Sequence, residues 1–140
     1  MKSLFADILS VLAMTYSDTE PRGTLRYRLL SSNMSSSPSD PGSWGHEYIR
    51  HLAAELGSEY TSRQEEGKET DELRELGIIC AKFLLAHNAE PDAVDLLEEL
   101  EFVDKLIELV DENIYARVCQ YMIRYSSINP CFVLLCSRSC

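Results

Sequence analysis

Apolar residues recur at helical spacing along most of the chain. Leu4, Ile8, Leu12 and Tyr16 stand four apart with Phe5 and Leu9 beside them, which predicts an amphipathic helix over residues 2–16. The turn-forming run SDTEPRG at residues 17–23 ends it. In TLRYRLL, residues 24–30, the alternation of Leu25, Tyr27 and Leu29 permits a strand. Arg26, Leu29 and Leu30 fit a helical turn as well, and helix is the reading adopted. Residues 31–40, SSNMSSSPSD, read as a flexible serine-rich loop.

Asp40 and Pro41 form a capping pair, with Pro in a first turn where its missing N–H costs nothing. They predict a helix over residues 41–63, with Ile49, Leu52, Ala53, Leu56 and Tyr60 on its face and Trp44 and Tyr48 extending it. Gly45 then falls in a first turn, where it is locally unfavourable, and close approach of another helix over it is the expected reason. After the polar joint QEEGKE, residues 64–69, Thr70, Asp71 and Glu72 open another helix, with acids at its positive end. Its face is Leu73, Leu76, Cys80, Phe83 and Leu84.

Three short apolar faces follow. Val94 and Leu97 carry the first, entered through the joint at residues 88–91. Phe102, Val103, Leu106, Ile107 and Val110 carry the second. Asp111 is the expected N-cap of a last helix bearing Ile114, Val118, Tyr121 and Met122. None of these helices is long enough to be stable alone in water, so each needs a neighbour to bury its stripe. The predicted fold is all-α, with antiparallel helix pairs stacked as a short α-solenoid segment. Leu52, Leu56, Leu84, Leu97, Val118 and Met122 are its expected core. After residue 125 the pattern fails at Pro130 and the apolar run CFVLLC, so residues 1–125 form the helical region and 126–140 an atypical tail.

Charge adds one feature. The net charge is −10, and residues 90–112 hold ten acids against one base, Lys105. Phosphates would be repelled there, so nucleic acid is excluded as a partner of this face, and a basic protein surface suits it better. Asp92, Asp95, Glu98, Glu99 and Glu101 are its candidate interaction residues, weighed against a plain solvated helix face. The five cysteines form neither a disulfide framework nor a zinc pattern, which fits a reducing, intracellular setting. No apolar run reaches the roughly twenty residues of a membrane span.

Chemistry is sparse. His46 and His51 in HEYIRH stand five apart, so on a regular helix they point about 140° apart and cannot share a metal as the H-E-x-x-H pair does. No phosphate-binding loop, nucleophile elbow or calcium loop is present. No cofactor, metal or small-molecule substrate is expected. Trp44, flanked by small residues, and Tyr48 are candidate packing or partner anchors.

FADILSVLAMT (residues 5–15), LRYRL (25–29), GSWGHEYIRHLAAEL (42–56), HNAEPDAVDLLEELE (87–101) and VDENIYARVCQYM (110–122) occur in that order. Together they resemble the 26S proteasome non-ATPase regulatory subunit 2 family, the large scaffold subunit of the proteasome base, over its N-terminal helical region. The resemblance implies a non-catalytic helical scaffold of the regulatory particle in cytoplasm and nucleus, supporting ubiquitin-dependent protein degradation. Its implied partners are regulatory-particle subunits, including those of the ATPase ring; the family's subunit also helps recruit ubiquitin, shuttle receptors and a deubiquitinase. Relative to that family the chain is expected to be truncated, stopping before the repeats that form the toroid, where the receptor-binding residues lie. The rival readings are a free-standing helical-repeat adaptor that binds a basic partner through residues 90–112, and a hydrolase using His46 or His51.

Overall fold

The computed structural model describes residues 1–16, 19, 21–37 and 39–125. The expectations for residues 126–140, including Pro130 and the apolar run after it, lie outside the described residues. The described residues contain no strand and seven α-helices: α1 (Lys2–Ala13), α2 (Gly23–Met34), α3 (His46–Glu65), α4 (Asp71–Ala86), α5 (Glu90–Glu99), α6 (Asp104–Leu109) and α7 (Glu112–Tyr125). Single 3₁₀ turns at Met14–Tyr16 and Pro41–Trp44 follow α1 and precede α3.

The chain reverses at each of the tight joints. Ser31 near the end of α2 donates to the carbonyl of Ser3 at the start of α1, and Ser10 donates to the carbonyl of Thr24 at the start of α2. These two helices are therefore antiparallel. Arg63 at the end of α3 bonds Glu72 at the start of α4, while His46 at the start of α3 meets Phe83 near the end of α4. Alternate helices run parallel: Arg50 and Gly57 of α3 lie against Asp92 and Glu99 of α5. Glu90 and Asp95 of α5 likewise lie against Arg117 and Tyr121 of α7. This is the stacked-pair arrangement that the apolar stripes predict.

The joints are built to stop helices. After α4, Asn88 takes the left-handed conformation (φ 57°), and the N–H of Ala89 reaches back to the carbonyl of Leu84. After α5, Glu101 does the same (φ 51°), with the N–H of Phe102 on the carbonyl of Leu97. Both close the last turn by satisfying an orphan carbonyl. At the other end of α7, Asp111 Oδ1 accepts from the N–H groups of Asn113 and Ile114, the expected N-cap. The core follows the stripes: Leu52, Leu56, Leu84 and Leu97 are wholly buried, and Val118 and Met122 nearly so.

Four expectations need correction. The stripe of α1 faces outward: Leu4, Phe5, Ile8, Leu12 and Tyr16 are exposed, and Ala6, Asp7, Ser10 and Ala13 are buried instead. The reason is that α2 offers α1 polar anchors, Arg28 and the Thr24 carbonyl, rather than an apolar groove. The serine-rich stretch is not all loop, because α2 continues to Met34 and Ser31 is fully buried. Gly45 is needed for its backbone, at φ 95°, since a Cβ there would meet nothing; the close approach is of Phe83 over Gly42. That positive φ separates the Pro41–Trp44 turn from α3, so Trp44 does not share a face with Tyr48. Trp44 is 37% exposed, whereas Tyr48 is buried and bonds Ser10 at 2.8 Å.

Candidate functional site

The acidic residues gather on α5 and the turn after it, and the neighbouring helices fix where they point. Between α3 and α5 runs an open groove of about 690 Å³, with Glu47, Arg50 and His51 on one wall and Asp92, Asp95 and Glu99 on the other. Small residues keep the helices close. Glu99 lies flat over Gly57, where any Cβ would collide with its carboxylate. Burial, then the neighbouring charges of Asp95 and Glu98, hold the Glu99 carboxyl above its usual range.

The acids are not simply spread over solvent. Asp92 lies 3.3 Å from Arg50 of α3, both partly exposed, a pair worth little in stability. Asp95 accepts a 2.7 Å hydrogen bond from the Tyr121 hydroxyl of α7. That bond, with the charges around it, pushes the Tyr121 phenol up to about 12. Glu101 accepts from Gln64 at 2.8 Å and is within 3.5 Å of the Tyr60 hydroxyl. Glu98 is half-buried. Glu90 is 5% exposed and bonds Arg117 of α7. The segment thus does two things: Glu90, Asp95 and Glu101 fasten α5 to its neighbours, and Asp92, Asp95 and Glu99 give the groove a negative wall.

The remaining candidates are separated. His51 Nε2 sits 2.9 Å from Glu55 Oε1, while His46 meets the rings of Phe83 and His87 edge-on. Among the described residues no group of three or more histidine, cysteine or acidic side chains is placed to hold a metal. Cys80 is fully buried, and burial pushes its thiol up to about 12, so it remains an unreactive core residue. Sequence reasoning missed Arg50 and Glu47 as the facing wall, because the apolar stripe of α3 says which side is buried but not what lies across from the other side. It also missed the buried Asp7–Arg28 pair; an acid and an arginine on the small-residue faces of adjacent helices were the available signal.

The described residues thus form a stack of short paired helices with an acidic face on α5. The family model of the RPN1 N-terminal domain matches residues 1–130, and the chain belongs to that family. It is 50% identical to the 26S proteasome regulatory subunit rpn-1 of Neurospora crassa over 122 residues, 87% of this chain and 13% of that protein. It is 46% identical to the 26S proteasome regulatory subunit rpn1 of Schizosaccharomyces pombe over 129 residues, 92% of this chain and 14% of that protein. It is 45% identical to the 26S proteasome non-ATPase regulatory subunit 2 of Dictyostelium discoideum over 129 residues, with the same coverage. The chain therefore spans about one-seventh of the length of these relatives.

Proposed function

We propose that the chain is a non-catalytic scaffold segment of the 26S proteasome regulatory particle, acting in cytoplasm and nucleus by protein contacts that support ubiquitin-dependent degradation. One observation carries this reading: relatives named as proteasome regulatory subunits align with nearly the whole helix stack, not with a fragment of it. The contacts we infer are with other regulatory-particle subunits, including those of the ATPase ring. The negative wall of Asp92, Asp95 and Glu99, with Glu98 and Glu101 beside it, supports docking against a basic surface there, since opposite potentials steer and orient association. Trp44, on the outside of its turn, is available as an anchor for such a contact. The free-standing adaptor is not favoured, because similar sequence lies within much longer proteins named as proteasome regulatory subunits.

Native affinity purification of the tagged chain from cells tests the proposal. Regulatory-particle ATPases are expected to co-purify, and less so from a variant with Asp92→Lys and Glu99→Lys. Recovery of the chain with no proteasomal subunit would contradict it.

A further inference from the structure

The inward side of α1 is held by polar bonds rather than by large apolar contacts. Its buried residues are Ala6, Asp7, Ser10 and Ala13. Asp7 Oδ1 pairs with Arg28 Nη1 of α2 at 3.2 Å, and both residues are almost fully buried. The third member of the cluster is Ser39, an exposed residue shortly before the Pro41–Trp44 turn. Its hydroxyl donates to Asp7 Oδ2 at 2.6 Å and accepts from Arg28 Nη1 at 3.1 Å, and Arg28 Nη2 donates to its carbonyl. Arg28 Nε has no partner among the described residues, so the pair has no bond to spare. Two buried charges are thus bonded to the hydroxyl of an exposed residue.

We propose that Ser39 is a phosphorylation site that controls the docking of α1. A serine kinase passes the terminal phosphoryl group of a nucleoside triphosphate to Ser39 Oγ. A new P–Oγ bond replaces the bond to the bridging oxygen, the nucleoside diphosphate leaves, and the hydroxyl proton goes to a base. The product has lost the donor that Asp7 used, and it places a second negative group beside the Asp7 carboxylate. Arg28 turns to the phosphate, the stronger acceptor, and Asp7 is left as a buried charge without its partner. Asp7 then has to reach water, which lifts α1 off α2. The rest of the stack has its own apolar core, carried by α3 to α7 with Leu25 of α2, and α1 adds only the partly buried Val11 to it.

Hydrogen exchange of the full chain tests this, using the unmodified protein, Ser39→Ala, Ser39→Asp, and a chain with phosphoserine placed at position 39 by genetic-code expansion. Phosphoserine and Ser39→Asp are expected to speed exchange of α1 amides about tenfold or more, Ser39→Ala by no more than about threefold, with the amides of Leu84 and Leu97 unchanged. Adding Asp7→Asn to Ser39→Asp is expected to slow α1 again, because Arg28 can pair with the carboxylate introduced at position 39. Exchange in α1 that ignores phosphoserine, or an acceleration shared equally by Leu84 and Leu97, would overturn the proposal. So would fragment mass spectra of the chain isolated from its own cells, with phosphatases inhibited, that show no phosphate on Ser39.

Discussion

Glu55 of α3 caps α2 from outside. Its Oε2 accepts from the backbone N–H of Leu25 at 2.7 Å, and Leu25 is the third residue of α2. That N–H has no partner within its own helix, and the residue before α2, Arg22, offers no side-chain cap. Replacing Glu55 with Ala leaves a buried donor unpaired and is expected to cost about 1–3 kcal/mol. Glu55→Gln keeps an acceptor and is expected to cost clearly less. Urea denaturation of both variants measures the difference; equal losses would show that the negative charge rather than the hydrogen bond matters.

Leu97 lies at the centre of the stack and is wholly buried. Truncation to Ala removes its contacts and leaves a cavity among packed helices, so a loss of about 2–5 kcal/mol is expected from the same denaturation measurement. A change below about 0.5 kcal/mol, the size usual for surface positions, would place the residue at the surface.

Trp44 is the only tryptophan, which makes its fluorescence unambiguous. Because Gly45 breaks the helix behind it and leaves it partly open to water, its emission in the folded chain is expected near the solvent-exposed position. It should move little in urea and be readily quenched by acrylamide. A strongly blue-shifted, unquenched emission would mean that it is enclosed.

Tyr121 and Asp95 link α7 to α5 by a bond whose pH dependence has a definite sign. The folded phenol titrates at about 12, above the ordinary value of about 10. The folded state therefore holds the proton more tightly, and the stabilisation is complete below the ordinary value and disappears as pH rises through about 12. Ultraviolet titration of phenolate absorbance should show a late-ionising tyrosine that is absent in Tyr121→Phe. Asp95→Asn should move it back down. A titration unchanged by Asp95→Asn would sever the link between the two residues.

The helices themselves were legible because the core stripes repeat at helical spacing: Leu52 with Leu56, Leu73 with Leu76 and Cys80, Val118 with Met122. Periodicity also located the caps at Asp111 and the joint at Asn88. It failed at α1, where the apolar stripe is real but points outward. What decides the orientation of α1 is a bond between Asp7 and a residue 21 positions away, and no local pattern encodes that. The acidic face was legible as charge but not as structure. Which acids fasten α5 and which remain open to a partner depends on Arg50, Tyr121 and Gln64, each brought in by another helix. Trp44 was misplaced because one backbone angle, at Gly45, outweighs a spacing that otherwise fits a continuous helix.

The scaffold reading is tested most directly by exchange of parts. Residues 1–125 of this chain replace the matching segment of the Schizosaccharomyces pombe relative, and the proteasomes of that strain are resolved on native gels. The chimaera is expected to enter complete 26S particles and to sustain degradation of ubiquitylated protein. A chimaera that is folded and abundant yet absent from those particles would contradict the account.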